Sequence, residues 1–217
     1  MAKKELCKRY LLFIIGLFFS ALGVAFTKSA ELGVSPISSV ANVLSLRFTA
    51  VSMGNWLIIT NCILILGQIL LLGRAFQPVQ LLQVPLSFLF GYFTDFGMWI
   101  VSHIPISSYG IRLVMVFVGV AVLGFGIALT VTANVIMNAG EAFVKVLADK
   151  LQKNFGNVKI AFDVSYVAFS IVLSMLLFQG AIMGTREGTL IAAVCTGMFV
   201  KLFTRLVSKP LTKCLIK

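Results

Sequence analysis

The polar residues of this chain are few enough to be read one by one, and most of them gather in two short stretches. In the first, Ser35, Ser38, Asn42 and Ser45 recur at helical spacing, with Ser39 beside them. In the second, Asn138, Glu141 and Lys145 take the equivalent positions, and Asp149 follows one turn later. Each stretch starts just after a break in the chain, so each helix presents free backbone N–H groups and the positive end of its dipole. Broken helices inside a membrane capture anionic groups in this way. The two stripes are therefore the expected binding surface for a small polar solute, anionic or zwitterionic. A blander reading of the second stripe also stands: Glu141, Lys145 and Asp149 at i, i+4 and i+8 could form a charge-laced helix at the membrane surface, with Lys150 and Lys153.

Three further positions, Asp163, its counterpart Asn61 and Asp95, could serve an ion or a proton. Asp163 lies about one and a half turns into a long apolar segment, with Tyr166 close behind it. An ionisable residue there is a functional candidate by default, unless it pairs with Lys159 at i−4 and becomes structural. In that case the coupling role passes to Asp95 or Glu141. Asp95 itself, between Tyr92 and Trp99, reads equally as a site or as a residue snorkelling to an interface. Other chemistry finds little support. There is one histidine, His103, and no Ser/His/Asp or Cys/His set, phosphate-binding glycine loop or metal-ligand spacing. Cys7, Cys62, Cys195 and Cys214 form no C-x-x-C. No enzymatic activity, cofactor or metal is expected.

What positions these residues is a duplication. A shift of 103 positions lays Arg9 on Arg112, Gly16 on Gly119, Gly23 on Gly126, Ala30 on Ala133 and Val43 on Val146. With small slips, Gly54-Asn55 answers Gly156-Asn157, Asn61 answers Asp163, and Gly91 answers Gly197. The expected fold is all-α and polytopic: two tandem repeats of about four helices each, three long spans plus one short helix per repeat, related by a pseudo-two-fold axis. Repeat 1 covers 1–102, with spans near 9–27, 35–48, 55–72 and 79–101. A linker occupies 103–111. Repeat 2 covers 112–217, with spans near 112–132, 139–151, 158–178 and 188–206. Internal duplication in an apolar chain is a feature of many transporter folds.

The composition is that of a membrane protein: 217 residues, 59% hydrophobic and 12% charged, with a mean hydropathy of +1.04. Its net charge of +11 is concentrated at the ends. Lys3, Lys4, Lys8 and Arg9 crowd the start, and Lys201, Arg205, Lys209, Lys213 and Lys217 the finish. Basic clusters flanking apolar spans read as cytoplasmic anchors against anionic lipid, so both termini are expected in the cytoplasm and nucleic acid is not a partner. The glycines of the paired first helices suit close helix packing. Basic residues also bear on topology. Because Arg9 matches Arg112 and Arg47 matches Lys150, the copies share one charge pattern, which favours eight crossings and parallel repeats over six crossings and inverted ones.

The segment Ala30-Glu-Leu-Gly-Val-Ser-Pro36, with Gly54-Asn55 after it, resembles the YczE/YitT group of small bacterial polytopic membrane proteins. The resemblance implies a bacterial inner-membrane location and brings no substrate with it. The reading that follows from the residues is a small secondary transporter, with its site between the repeats at the N-termini of the short helices. The alternative is a membrane-embedded substrate-binding or accessory subunit working with a partner protein. The lipid bilayer and a small solute are the expected partners; a homodimer or partner subunit is compatible with either reading.

Overall fold

A computed structural model describes residues 3–106 and 108–216; Met1, Ala2, Ser107 and Lys217 lie outside the described residues, as do the side chains of Lys3, Lys213, Cys214 and Ile216. Eight α-helices account for most of the chain: α1 (Lys3–Ser29), α2 (Ser39–Arg47), α3 (Met53–Leu72), α4 (Gln83–Val101), α5 (Tyr109–Ala133), α6 (Ala139–Leu151), α7 (Phe155–Leu177) and α8 (Glu187–Ile216). A 3-10 turn, Pro36–Ser38, leads into α2. Six of the helices, all but α2 and α6, are long and apolar enough to cross a membrane. They carry their large apolar side chains outward as well as inward: Leu70, Leu176 and Leu190 are among the most exposed residues. That inverts the soluble pattern and suits a lipid surround.

At its centre α1 lies against α5, running antiparallel to it. The spacing of glycines every seventh residue, Gly16 and Gly23 on one helix and Gly119 and Gly126 on the other, clears a path for the two backbones. A Cβ on Gly126 would come within 2.6 Å of the Gly16 carbonyl oxygen, and one on Gly23 within 2.6 Å of the Gly119 carbonyl oxygen. Small residues are what allow membrane helices to approach so closely. At the two ends of this crossing an arginine reaches across. Arg9 Nη1 donates to the Ala133 carbonyl at 3.0 Å, and Arg112 Nη1 donates to the Ala30 carbonyl at 3.4 Å. Each thus satisfies a carbonyl left without an intrahelical partner at the end of the facing helix.

This arrangement corrects the eight-crossing, parallel expectation. At 1.5 Å per residue, the 9 residues of α2 and the 13 of α6 span only about 14 and 20 Å, against a hydrocarbon core of about 30 Å. Parallel copies would have aligned α1 with α5; the glycine and arginine contacts oppose them. Arg9 and Arg112 each serve a carbonyl at a helix end, a role that accounts for their shared placement without reference to sidedness.

Around the central pair, α4 packs on α1, α8 on α5, and α3 on α4. The short helices cross over: α2 rests on α7, and α6 on α3. The break after α1 follows its sequence. Glu31 adopts a left-handed φ of 58°, Gly33 a φ of 111°, and Gly33 lies so close to Thr189 that a side chain there would collide with it. The Gly188 N–H then donates to the Leu32 carbonyl at 2.7 Å, docking the break on the start of α8. At the end of α5, Asn134 takes the same left-handed conformation, with φ 49°. The main core forms where α1, α5 and α8 meet, from Ala25, Leu32, Met115, Val116, Val120 and Ala192.

Candidate functional site

The N-termini of the two short helices meet inside the protein. Ile37, at the start of one, seats its side chain on Gly140, at the start of the other, where a Cβ would overlap it. Beside this contact lies a cavity of about 720 Å³, within the size range of small-molecule sites. Its floor is made by the breaks, with Ser35, Ser38, Asn138 and Glu141; its walls come from α1 (Phe13, Leu17, Ser20, Val24), α4 (Gln83, Leu86, Ser87, Phe90) and α5 (Leu123, Ile127, Thr130). Asn61 of α3 and Lys159 and Asp163 of α7 complete the polar lining. The remaining wall is α8, through Ala192, Ala193, Thr196, Gly197 and Val200.

Six of the residues expected at the site are brought together there: Ser35, Ser38, Asn138, Glu141, Asn61 and Asp163. Ser35 and Ser38 join hydroxyl to hydroxyl at 3.0 Å. Asp163 accepts a hydrogen bond from the Lys159 ammonium one turn earlier, which is the structural alternative stated for it above. Glu141 borders the cavity and is partly buried there. Burial pushes this carboxyl above its ordinary range; Lys159 and the Asn138 side chain pull it down, and Asp163 adds to the rise. The three ionisable groups of the lining therefore comprise two acids and one base, with the base committed to Asp163.

Four other expected residues stand elsewhere. Ser39 is buried and donates to the Pro36 carbonyl at 2.6 Å, stiffening the turn into α2. Asn42 is a tie-point: it accepts from Lys28 Nζ at 2.5 Å and donates to the Gly184 carbonyl at 2.6 Å. Lys145 points out of the cavity, half-exposed, with its ammonium 3.9 Å from Asp149. The outer face of α6 is thus the charge-laced surface helix, while its first turn belongs to the cavity. Asp95 caps α3 from α4: it accepts from the Ser52 hydroxyl at 2.5 Å and from the Gly54 N–H at 2.7 Å.

The sequence reading missed a buried pair of carboxamides. Gln68 Nε2 donates to Gln83 Oε1 at 3.0 Å and to the Ala139 carbonyl at 3.1 Å, and Gln83 Nε2 donates back to Gln68 Oε1 at 3.2 Å. Both lie in apolar stretches, which is itself the signal that could have marked them. Facing the cavity without a hydrogen-bond partner among the described residues are the Ser20 and Thr196 hydroxyls. No group of three or more His, Cys, Asp or Glu among the described residues could hold a metal.

The packing of the cavity wall is uneven. Between α3 and α4, Gly54 and Gly91 lie backbone to backbone: a Cβ on Gly91 would come within 2.6 Å of the Gly54 carbonyl oxygen. Gly156 on α7 and Gly197 on α8, the residues expected to answer them, do not meet. Nothing lies within 4 Å of a Cβ built on Gly197, and α7 and α8 barely touch among the described residues. The cavity opens through that gap, where Ile160, Ala193 and Gly197 both line it and remain exposed.

A family model described as "Family of unknown function (DUF6198)" matches residues 7–205, nearly the whole chain. The chain belongs to this family. It is also similar to the "Uncharacterized membrane protein YczE" of Bacillus subtilis (strain 168), with 26% identity over 201 residues, covering 92% of this chain and 86% of the relative. The resemblance drawn from the first break is thereby borne out, and with it the reading as a polytopic membrane protein. No solved structure matches the chain. Neither the DUF6198 description nor the relative's title brings a substrate, so the function rests on the cavity.

Proposed function

We propose that this protein is a small secondary transporter that works by alternating access, its two halves being inverted copies about a pseudo-two-fold axis through the α1–α5 crossing. One observation carries the reading: the same pair of glycine seats is closed in the first half, at Gly54 and Gly91, and open in the second, at Gly156 and Gly197. Inverted repeats in unlike conformations are what a fold with one gate shut and one open presents, and exchange of the two conformations would move the opening to the other side. The symmetry is supported by exchanged contacts. Arg9 bonds to Ala133 and Arg112 to Ala30; Glu31 and Asn134 share the left-handed conformation; α2 rests on α7 as α6 rests on α3.

Six crossings with the N-terminus inside leave only four basic residues on the outer side, Lys28, Arg47, Arg112 and Arg186. Three are engaged locally: Lys28 with Asn42 and Ser45, Arg112 with Glu31, and Arg186 with Glu187 at 3.6 Å. Both termini are then cytoplasmic, the α3–α4 gate is the outer one, and the open α7–α8 gap faces inward. The solute binds between the halves at the starts of the short helices. With Lys145 outside the cavity, a solute that carries a positive group, such as a zwitterion, fits better than an anion. An accessory subunit that captures solute for a partner has one feature in its favour, the exposed apolar faces of α7 and α8.

Gly197→Leu tests the transport reading without knowledge of the solute. The new side chain meets nothing in the present state and would block only closure of α7 on α8. In a cysteine-free protein bearing Val24→Cys on the cavity wall, a membrane-impermeant maleimide should label from both faces when Gly197 is retained. With Gly197→Leu it should label from the cytoplasmic face alone, at unchanged thermal stability. Labelling from one face only in both proteins sinks the transporter and favours the capture subunit.

A further inference from the structure

We propose that the cavity takes an apolar molecule bearing one positive charge, admitted from the bilayer between α7 and α8 and held at the Glu141 carboxylate. This deepens the preceding reading and rests on the cavity being its solute site. The apolar body is argued from the walls: Phe13, Leu17, Phe90, Leu123 and Ile127 surround the space, and its polar groups are the floor residues, the Lys159–Asp163 pair of α7 and a few hydroxyls and amides. A strongly hydrated solute would lose water against those walls without recovering its hydrogen bonds. An apolar one gains by leaving water or by exchanging lipid for a fitted surface.

The charge follows from the lining. Of its ionisable groups, Lys159 and Asp163 satisfy each other, leaving Glu141 as the unmatched acid. Ser20 offers a second, independent sign of a ligand. Its hydroxyl is buried, with 1% of the residue exposed, borders the cavity and has no hydrogen-bond partner among the described residues. The route follows from the gap. Ile160 is 66% exposed and yet lines the cavity, so the wall between α7 and α8 is open along helices whose outer faces, at Val164, Val194 and Met198, are apolar and exposed. A solute dissolved in the bilayer can enter there without crossing an aqueous mouth.

Glu141 also supplies an exchange. Burial disfavours its ionised form, so between the ordinary glutamate range and the raised value the empty site holds a proton on a carboxyl oxygen. An arriving cation stabilises the carboxylate, the O–H bond breaks, and the proton leaves to water. One positive charge enters and one departs. The charged groups facing Glu141 are Lys159 and Asp163 of α7; from α3 and the turn before α2 the cavity receives only neutral groups, Asn61, Ser35 and Ser38.

The probe is tritiated tetraphenylphosphonium, measured by equilibrium dialysis against the protein in lipid nanodiscs, with empty nanodiscs subtracted. Tetraphenylborate, of the same shape and opposite charge, and glycine betaine, charged without the apolar body, serve as comparators. Retention of the phosphonium over both, with roughly one proton released per cation bound, is the expected result. Glu141→Gln should lower retention at least tenfold and abolish proton release. Lys159→Gln, which frees Asp163, should raise retention several-fold, a gain that a folding defect cannot imitate. Equal retention by wild type and Glu141→Gln, or preference for the borate, overturns the proposal. Retention of betaine but not of the phosphonium overturns it while leaving a polar-zwitterion transporter standing. Failure of alternating access shows separately in the ligand-free Gly197→Leu labelling.

Discussion

Asp95 should act as the latch of the outer gate, and its removal should move the conformational balance by a calculable amount. The carboxylate accepts from the Ser52 hydroxyl and from the Gly54 N–H, tying the first turn of α3 to α4 beside the Gly54–Gly91 seat. Hydrogen bonds to a charged group contribute about 1.5–3 kcal/mol each. Asp95 is only half-buried, so water can replace part of what is lost when the gate opens. About half of the sum, ~1.5–3 kcal/mol, is the reasonable share, which corresponds to roughly a 10- to 150-fold shift toward the outward-open state. In the proposed duplication the residue that answers Asp95 is Lys201, which cannot accept from the start of α7, in the half proposed to be open. In the Val24→Cys background, Asp95→Ala should accelerate labelling from the outer face by at least tenfold, and Asp95→Asn, which can still accept one bond, by less. An unchanged outer-face rate in Asp95→Ala, in a protein of normal thermal stability, would refute both the latch and the assignment of the α3–α4 pair as a gate.

Three further outcomes are expected. Single cysteines replacing Ser52 and Asn154 should react with an impermeant maleimide from opposite faces of the membrane; labelling from the same face would restore the parallel arrangement. Gly126→Ala, which drives a methyl group toward the Gly16 carbonyl, should destabilise the protein by about 1–3 kcal/mol, read as a fall in melting temperature, whereas Gly197→Ala should not; equal effects would argue against the close α1–α5 crossing. Glu141 should leave a mark on the pH dependence of stability. Its raised pKa means that the folded, empty protein binds this proton more tightly than the unfolded chain does. The associated stability is fully present below the ordinary glutamate range and is lost as pH rises through the raised value. The melting temperature of wild type relative to Glu141→Gln should therefore fall with increasing pH above that range, and a gap independent of pH would contradict the burial of the carboxyl.

Much of the fold was legible because hydrophobic length and chain breaks are local signals. Residues 139–151 were read as a helix and form one, and the break at Gly33 to Pro36 lies where positive φ and a helix-starting proline place it. Charge alone did not separate the two arrangements, since Arg112 is held by Glu31 and the Ala30 carbonyl, contacts that let it stand on the outer side that the proposed inverted arrangement gives it. The site was half legible. Spacing put Ser35, Ser38, Asn138 and Glu141 on matching faces, but a helix that borders a cavity with its first turn and solvent with its last offers no periodicity to show where the change occurs. Lys145 falls on the far side of that change. Gln68 and Gln83 meet across two helices, a distance that neither residue's neighbours announce.

The contact of Ile37 with Gly140 has a bearing on how such a chain can vary. In the proposed duplication the two positions answer each other, yet one holds a branched side chain and the other none, and each is shaped by its opposite. Two first halves joined together would force isoleucine against isoleucine, and two second halves would leave a hole where the pair now interlocks. The halves have therefore become complementary parts, like a key and its ward, and neither can be replaced by a copy of the other. Substitutions at this contact should be found together or not at all.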